Sequence, residues 1–279
     1  MNSLSDDTFE AFLSHISGSD CVDLSNVGFV DPYGMLGVLE MGRYLGLSRE
    51  KTSLLLPASD NVLRYLERMD FFKYAERYFR IVNKLELSEK YLRSSYSDVL
   101  LEITPIQKSD DIHFIVGKVK KRSHTILKKH LHYSEKAING FIVALSEVCQ
   151  NIIEHSENTG FVGIQKYRFQ KLKKNVVKIA VMDLGIGFKE SLAERIPEKD
   201  DLVAIESALI DGISRYDDRG RGHGLAGVRR FVHEWNGKLS IRSGSAKLSV
   251  IPDWGWGRER EKNLLYFPGS QINILLPEV

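Results

Sequence analysis

The sequence has 279 residues, 43% of them hydrophobic, and a formal net charge of +2. That apolar content fills a core and excludes wholesale disorder, while so small a charge excludes the strongly basic domain of a typical nucleic-acid binder. The opening "MNSLSDDTFEAF" has neither a basic leader nor an apolar stretch, and no apolar run approaches a membrane span, so a cytoplasmic protein without nucleic-acid or membrane partners is expected.

Residues 1–75 read as a first α/β unit. "SDDTFEAFLSHI" begins with cap-type residues and then sets Phe9, Phe12, Leu13 and Ile16 at helical spacing. "CVDLSNVGFVD" reads as a short strand-like piece. Asp31 followed by Pro32 is a helix start: a side-chain cap, then a residue whose φ is already set. "KTSLLLP" is a compact strand, and Ser59 or Asp60 caps a helix with Val62, Leu63, Leu66 and Met69 on its buried stripe. Residues 76–97, rich in Lys, Arg, Glu, Ser and Tyr, read as a connector.

Residues 98–279 form the second unit. "VLLEITP" is a strand, and helices follow over about 111–131 and 134–156. "FVGIQKYRFQ" and "NVVKIAVMDLG" are strands. Residues 188–219 look loose and polar around an amphipathic insert, "LVAIESALIDGI". After a glycine stretch and a helix through Trp235, "KLSIRSG", "AKLSVIP", "LLYFPG" and "QINILLP" read as successive antiparallel strands. Cys21 and Cys149 stand in unlike contexts and read as reduced, partly buried thiols. His130 and His132 lack a Cys or acidic partner at ligand spacing, which argues against zinc.

Three short stretches bear on chemistry. In "FIVALSEVCQNIIEHS", Glu147, Asn151 and His155 are four apart and share one helix face, commonly just a solvated face. A carboxylate one turn before a carboxamide also suits proton abstraction beside a hard cation such as Mg²⁺. In "AVMDLGIGF", a buried-type strand ends at Asp183, and Gly185 and Gly187 open a turn. A turn of this kind is common. It also lets a flat ring approach the backbone while the carboxylate accepts from an amino group.

The third stretch, "GRGHGLAGVRRFV", places Gly220, Gly222, Gly224 and Gly227 before a helix. Gly222, Gly224 and Gly227 fit G-x-G-x-x-G, but polar loop precedes them and "KLSIRS" ends without a carboxylate, so a dinucleotide fold is rejected. No phosphate loop of the Gly-Lys-Ser/Thr type is present either. A glycine loop feeding a helix N-terminus remains attractive to phosphate, with Arg219 and Arg221 beside it to neutralise charge.

The order of the three stretches resembles the GHKL ATPase superfamily, which includes gyrase, a heat-shock chaperone, mismatch-repair proteins, histidine kinases and anti-sigma-factor kinases. "SEVCQNIIEHS" is similar to its N box, "DLGIGF" to its G1 box and "GRGHGL", ending at Leu225, to its G2 box. The resemblance implies ATP and Mg²⁺ as ligands, and an α/β fold with helices on one face of a mixed sheet. It implies that Glu147 activates the nucleophile, Asn151 holds Mg²⁺ and Asp183 binds the adenine amino group. Gly185, Gly187, Gly220, Gly222 and Gly224 would supply close backbone, and residues 188–219 a mobile lid.

His124 lacks the Glu/Asp and Arg-Thr-Pro surroundings of a histidine-kinase acceptor, and the short first helices running directly into "ALSEVCQNIIEHS" resemble the anti-sigma-factor serine kinases. "CVDLSNVGFVDPYGMLGVLEMGRYLG" resembles a STAS domain, in which a serine follows the strand-ending aspartate. Here Pro32 and Tyr33 follow Asp31, and proline has no hydroxyl to phosphorylate. Docking a protein partner, forming a homodimer and packing on its own ATPase all remain open to this unit. For the whole chain the resemblance implies a kinase, with an ATPase switch and a non-enzymatic interaction module as the alternatives.

Overall fold

Strands and helices alternate from the first residues in the computed structural model, which describes residues 2–16, 19–47, 51–83, 98–170, 172–197, 200–214 and 224–279. In the N-terminal part, β1 (Ser3–Leu4) pairs in parallel with β3 (Phe29–Val30). A three-stranded parallel sheet has the order β2 (Cys21–Asp23), β4 (Thr52–Leu55), β5 (Phe79–Ile81). "CVDLSNVGFVD" is therefore two strands, β2 and β3, in different sheets. The helices are α1 (Phe9–Ile16), α2 (Pro32–Gly46), α3 (Asp60–Arg68) and α4 (Phe71–Tyr78). Asp31 caps α2 as expected, accepting from the Gly34 N–H at 2.9 Å. The boundary expected at residue 75 falls inside α4, and β5 adds an edge to β4, because Phe79 is needed in the core. Residues 84–97 of the expected connector lie outside the described residues.

The C-terminal part is built on seven strands: β6 (Val99–Ile106), β7 (Gly160–Phe169), β8 (Lys174–Asp183), β9 (Lys238–Gly244), β10 (Ala246–Val250), β11 (Arg260–Glu261) and β12 (Phe267–Pro277). Their order is β11-β10-β9-β12-β8-β7-β6. The mixed sheet implied by the resemblance is here antiparallel in every pairing of these strands, and the parallel pairs belong to the N-terminal sheets. β12 takes up the end of "LLYFPG" and all of "QINILLP" as one strand, with a bulge between Phe267 and Ser270.

The helices are α5 (Ser109–Ser123), α6 (Glu135–Asn151), α7 (Gly187–Ser191), α8 (Asp201–Glu206) and α9 (Gly224–Glu234). Wider π-type turns prolong α5 over His124–His130 and α6 over Ile152–Ser156. None of the helices among the described residues is long and apolar enough to cross a membrane. Leu192, Leu202, Ile205 and Leu209 are buried in the main core, so much of the expected mobile lid is packed structure. Apolar side chains in the insert outweigh the polar look of its flanks.

The period-2 alternation of strands divides the sheet into two unlike faces. Val177, Ile179 and Val181 of β8, with Leu239, Ile241, Ile272 and Ile274, join a core under α5, α6 and α9. Ala180 and Met182 of β8 join a second core with α1, α2 and α4, completed by Phe161 and Phe267. Four cations also rise from this second face, at Lys178, Lys238, Arg242 and Lys247, and acids of the N-terminal part meet them. Lys247 pairs with Asp6 at 2.8 Å, Lys238 with Asp7 at 3.4 Å, and Arg242 with Glu10 at 2.7 Å, while Lys178 pairs with Asp31. Arg242 is fully buried and also lies over the rings of Phe9 and Phe267. Burial pushes the Asp6 carboxyl up, but Lys247, Lys178 and Lys238 outweigh it and hold the group below its ordinary value.

Candidate functional site

The C-terminal end of α6 and the tip of β8 open onto one cavity of about 910 Å³. Glu147, Asn151 and His155 line it from α6 and its π-type extension, as their shared face predicts. Asp183 lines it from the strand tip, and Gly187 from the turn that follows. Gly224 and Leu225, at the start of α9, close another side. Gly185 does not line the cavity and reaches it only through its N–H bond to Asp183. Arg219, Gly220, Arg221 and Gly222 lie outside the described residues.

Asp183 is 1% exposed and is held from two sides. Its Oδ1 accepts from the Gly185 N–H at 2.7 Å, and its Oδ2 accepts from the Ser270 hydroxyl. Burial pushes this carboxyl above its ordinary value, and the bonds from Ser270, Gly185 and Ser156 oppose the rise. The turn after it needs its glycines. A Cβ on Gly185 would meet the Ser156 carbonyl oxygen at 1.9 Å, and Gly187 has φ +73° with Ser243 Oγ in the space of a side chain. Flat backbone beside a buried acceptor is thus built in, the geometry that an aromatic base with an exocyclic amino group requires.

In the same cavity, the Asn151 Nδ2 is buried without a hydrogen-bond partner among the described residues. The oxygen of the same amide is a hard ligand of the kind Mg²⁺ takes, so Asn151 fits the metal that the resemblance implies.

Sequence reasoning missed Ser270, Arg195 and Arg230. Ser270 reaches Asp183 from β12, across the sheet, and no local spacing announces it. Arg195 and Arg230 line the same cavity, from the loop after α7 and from α9, and bring positive charge to it. Arg230 stands four residues after Ala226, which also lines the cavity, and that one-turn spacing is the local signal that points to it.

Comparison with known proteins agrees with this geometry at the level of family. A search of curated proteins gives no match. Among solved structures, the histidine kinase domain from the Erythrobacter litoralis EL346 blue-light activated histidine kinase is similar at 12% identity. The match covers 98% of this chain and 93% of that one with a TM-score of 0.28, too loose a likeness to transfer residue roles. Residues 138–277, half of the chain, match the family described as histidine kinase-, DNA gyrase B-, and HSP90-like ATPase. The matched segment contains the α6 face, the Asp183 turn and the start of α9, and the chain belongs to this ATPase family.

Proposed function

We propose that this chain is a cytoplasmic Mg·ATP-binding regulatory protein, a serine/threonine kinase of the anti-sigma-factor type whose N-terminal part is a STAS-like domain. The observation that carries the reading is the convergence of Glu147, Asn151 and Asp183 on one cavity. In this reading the Asp183 carboxylate accepts a hydrogen bond from the adenine amino group, and the Gly185–Gly187 turn lies against the ring. Gly220, Gly222, Gly224 and Leu225 frame the phosphates at the helix start, where unpaired N–H groups favour anions. Arg195 and Arg230, and Arg219 and Arg221, offset phosphate charge.

Phosphoryl transfer then needs a positioned nucleophile and a base. Glu147 takes the proton of a partner's Ser or Thr hydroxyl. The hydroxyl oxygen forms a bond to the γ-phosphorus as the bond to the β–γ bridging oxygen breaks, and ADP leaves with the electron pair. Asn151, with Glu147 nearby, would hold Mg²⁺, which supplies charge neutralisation for the phosphates when bound.

A second reading, an ATPase switch with water as the nucleophile, is favoured by one observation: α2 of the N-terminal part bonds to the Asn158–Thr159 corner beside the pocket. ATP labelled on the γ-phosphate separates the two once binding to the purified full chain has been measured. For the kinase, label stays on ATP until a STAS-type protein is added, then moves to its serine or threonine, and Asn151→Ala stops the transfer. Free phosphate that forms without a partner and disappears in Glu147→Ala replaces the kinase by the switch. Absence of ATP binding overturns both.

A further inference from the structure

The N-terminal helix α2 reaches the adenine end of the cavity without lining it. Arg43 Nη1 donates to both carboxylate oxygens of Glu40, at 2.8 and 2.7 Å, and to the Thr159 carbonyl at 3.2 Å. Its Nη2 donates to Asn158 Oδ1 at 3.1 Å and Thr159 Oγ1 at 2.9 Å. The guanidinium also lies over the Phe161 ring, 5.7 Å from its centroid. One planar fork therefore holds the chain just where β7 begins.

That corner is bonded to the turn that carries Asp183. Asn158 Nδ2 donates to the Leu184 carbonyl at 3.2 Å, and the Asn158 N–H donates to Ser156 Oγ at 3.1 Å. The Ile186 N–H donates to the Ser156 carbonyl at 3.0 Å. Gly160, next to Thr159, is the cross-strand partner of Asp183. A second line of contact runs parallel. Tyr44, also on α2, packs edge-on against Phe267 at 5.8 Å, and β12 continues from Phe267 to Ser270, which bonds Asp183.

We propose that Arg43 is a positioning residue for nucleotide recognition: by fixing the Asn158–Thr159 corner it sets the Asp183–Ile186 turn, and so sets selectivity for a 6-aminopurine. The inference rests on the adenine reading of Asp183 given above. The N-terminal part thereby takes a share in nucleotide choice although it touches no nucleotide.

The test uses the full chain with Mg²⁺ and two probes, ATP and inosine triphosphate, which carries a carbonyl in place of the 6-amino group. Wild type is expected to prefer ATP. Arg43→Met alone would strip the buried Glu40 carboxyl of its hydrogen-bond donor, so E40Q/R43M is the variant measured. Its ATP affinity should fall about tenfold, the scale of a lost charge-assisted hydrogen bond, with inosine triphosphate affinity unchanged. Arg43→Lys, which keeps the charge but not the fork, should lie between. Asn158→Ala leaves α2 intact and should also lower the ATP preference, and it decides the matter if the double variant does not fold. Equal losses for both nucleotides, or an unchanged ratio, overturn the role of Arg43 while leaving ATP binding in place. A wild type that binds both alike, or neither, overturns the adenine reading and this inference together.

Discussion

The two faces of the seven-stranded sheet are covered by different means. Towards α5, α6 and α9 the sheet is apolar, and Val177, Ile179 and Val181 meet a helical layer of the same character. Towards the N-terminal part the same strands present Lys178, Lys238, Arg242 and Lys247, each with an acid opposite. The first face is held by non-directional burial, which tolerates sliding and repacking. The second adds paired charges, which admit few registers because a misplaced partner leaves a buried ion. Apolar contact supplies adhesion on both sides, and charge sets the alignment on one.

The largest effect should come from breaking that alignment. Asp6→Ala leaves Lys247 buried without its nearest anion and should cost about 3–5 kcal/mol, read as a fall in the denaturation midpoint. Replacing both partners, as in D6L/K247M, should recover most of the loss, which separates a stranded charge from lost packing. On the apolar face, Ile179→Ala should cost about 2–5 kcal/mol through the cavity it leaves, with no such rescue by a partner change.

A pH series sharpens the contrast further. Burial pushes the Glu40 carboxyl up to about 8, with Arg43 opposing the rise and Asp183 adding to it. The folded protein therefore keeps a proton that the unfolded chain releases near the ordinary value of 4.5. Stability from this group is full below about 4.5 and is lost as pH rises through about 8. Stability measured across that range should fall less steeply in Glu40→Gln than in wild type, and parallel slopes would falsify the assignment. The smallest effect belongs to a cap on the apolar side. Ser134 accepts from the Ala137 N–H at 3.2 Å at the start of α6, and Ser134→Ala should cost about 1 kcal/mol in the same midpoint assay.

The sequence made the apolar face legible because its signals are local. The α6 stripe from Ile138 to Ile152 and the strand "NVVKIAVMD" are read within a few residues, and each appears where expected. Glu147, Asn151 and Asp183 are singled out by equally local signals, one helical turn and one strand tip, and all three line one cavity. The charged face was hidden. Lys178 and Arg242 look like the solvent side of ordinary strands, and Asp6 and Asp7 look like capping residues, until the two parts are brought together. Ser270 and Arg43 act across the fold, on partners far away in sequence, so no spacing rule reaches them. The packed insert from α7 to α8 looks loose in sequence because its polar flanks outnumber the few residues that enter the core.

The contact between Phe9 and Phe267, 5.8 Å between ring centroids, joins α1 to β12. During synthesis the first helix leaves the ribosome long before the strand that completes its packing. Tyr33 and its neighbours on α2 can cover Phe9 early, but the packing is complete only when β12 emerges. A chain cut short before Phe267 lacks the strand that lies between β8 and β9, and with it the means to close either core. Truncation there leaves apolar surface of both cores open to water, the kind of surface that drives aggregation.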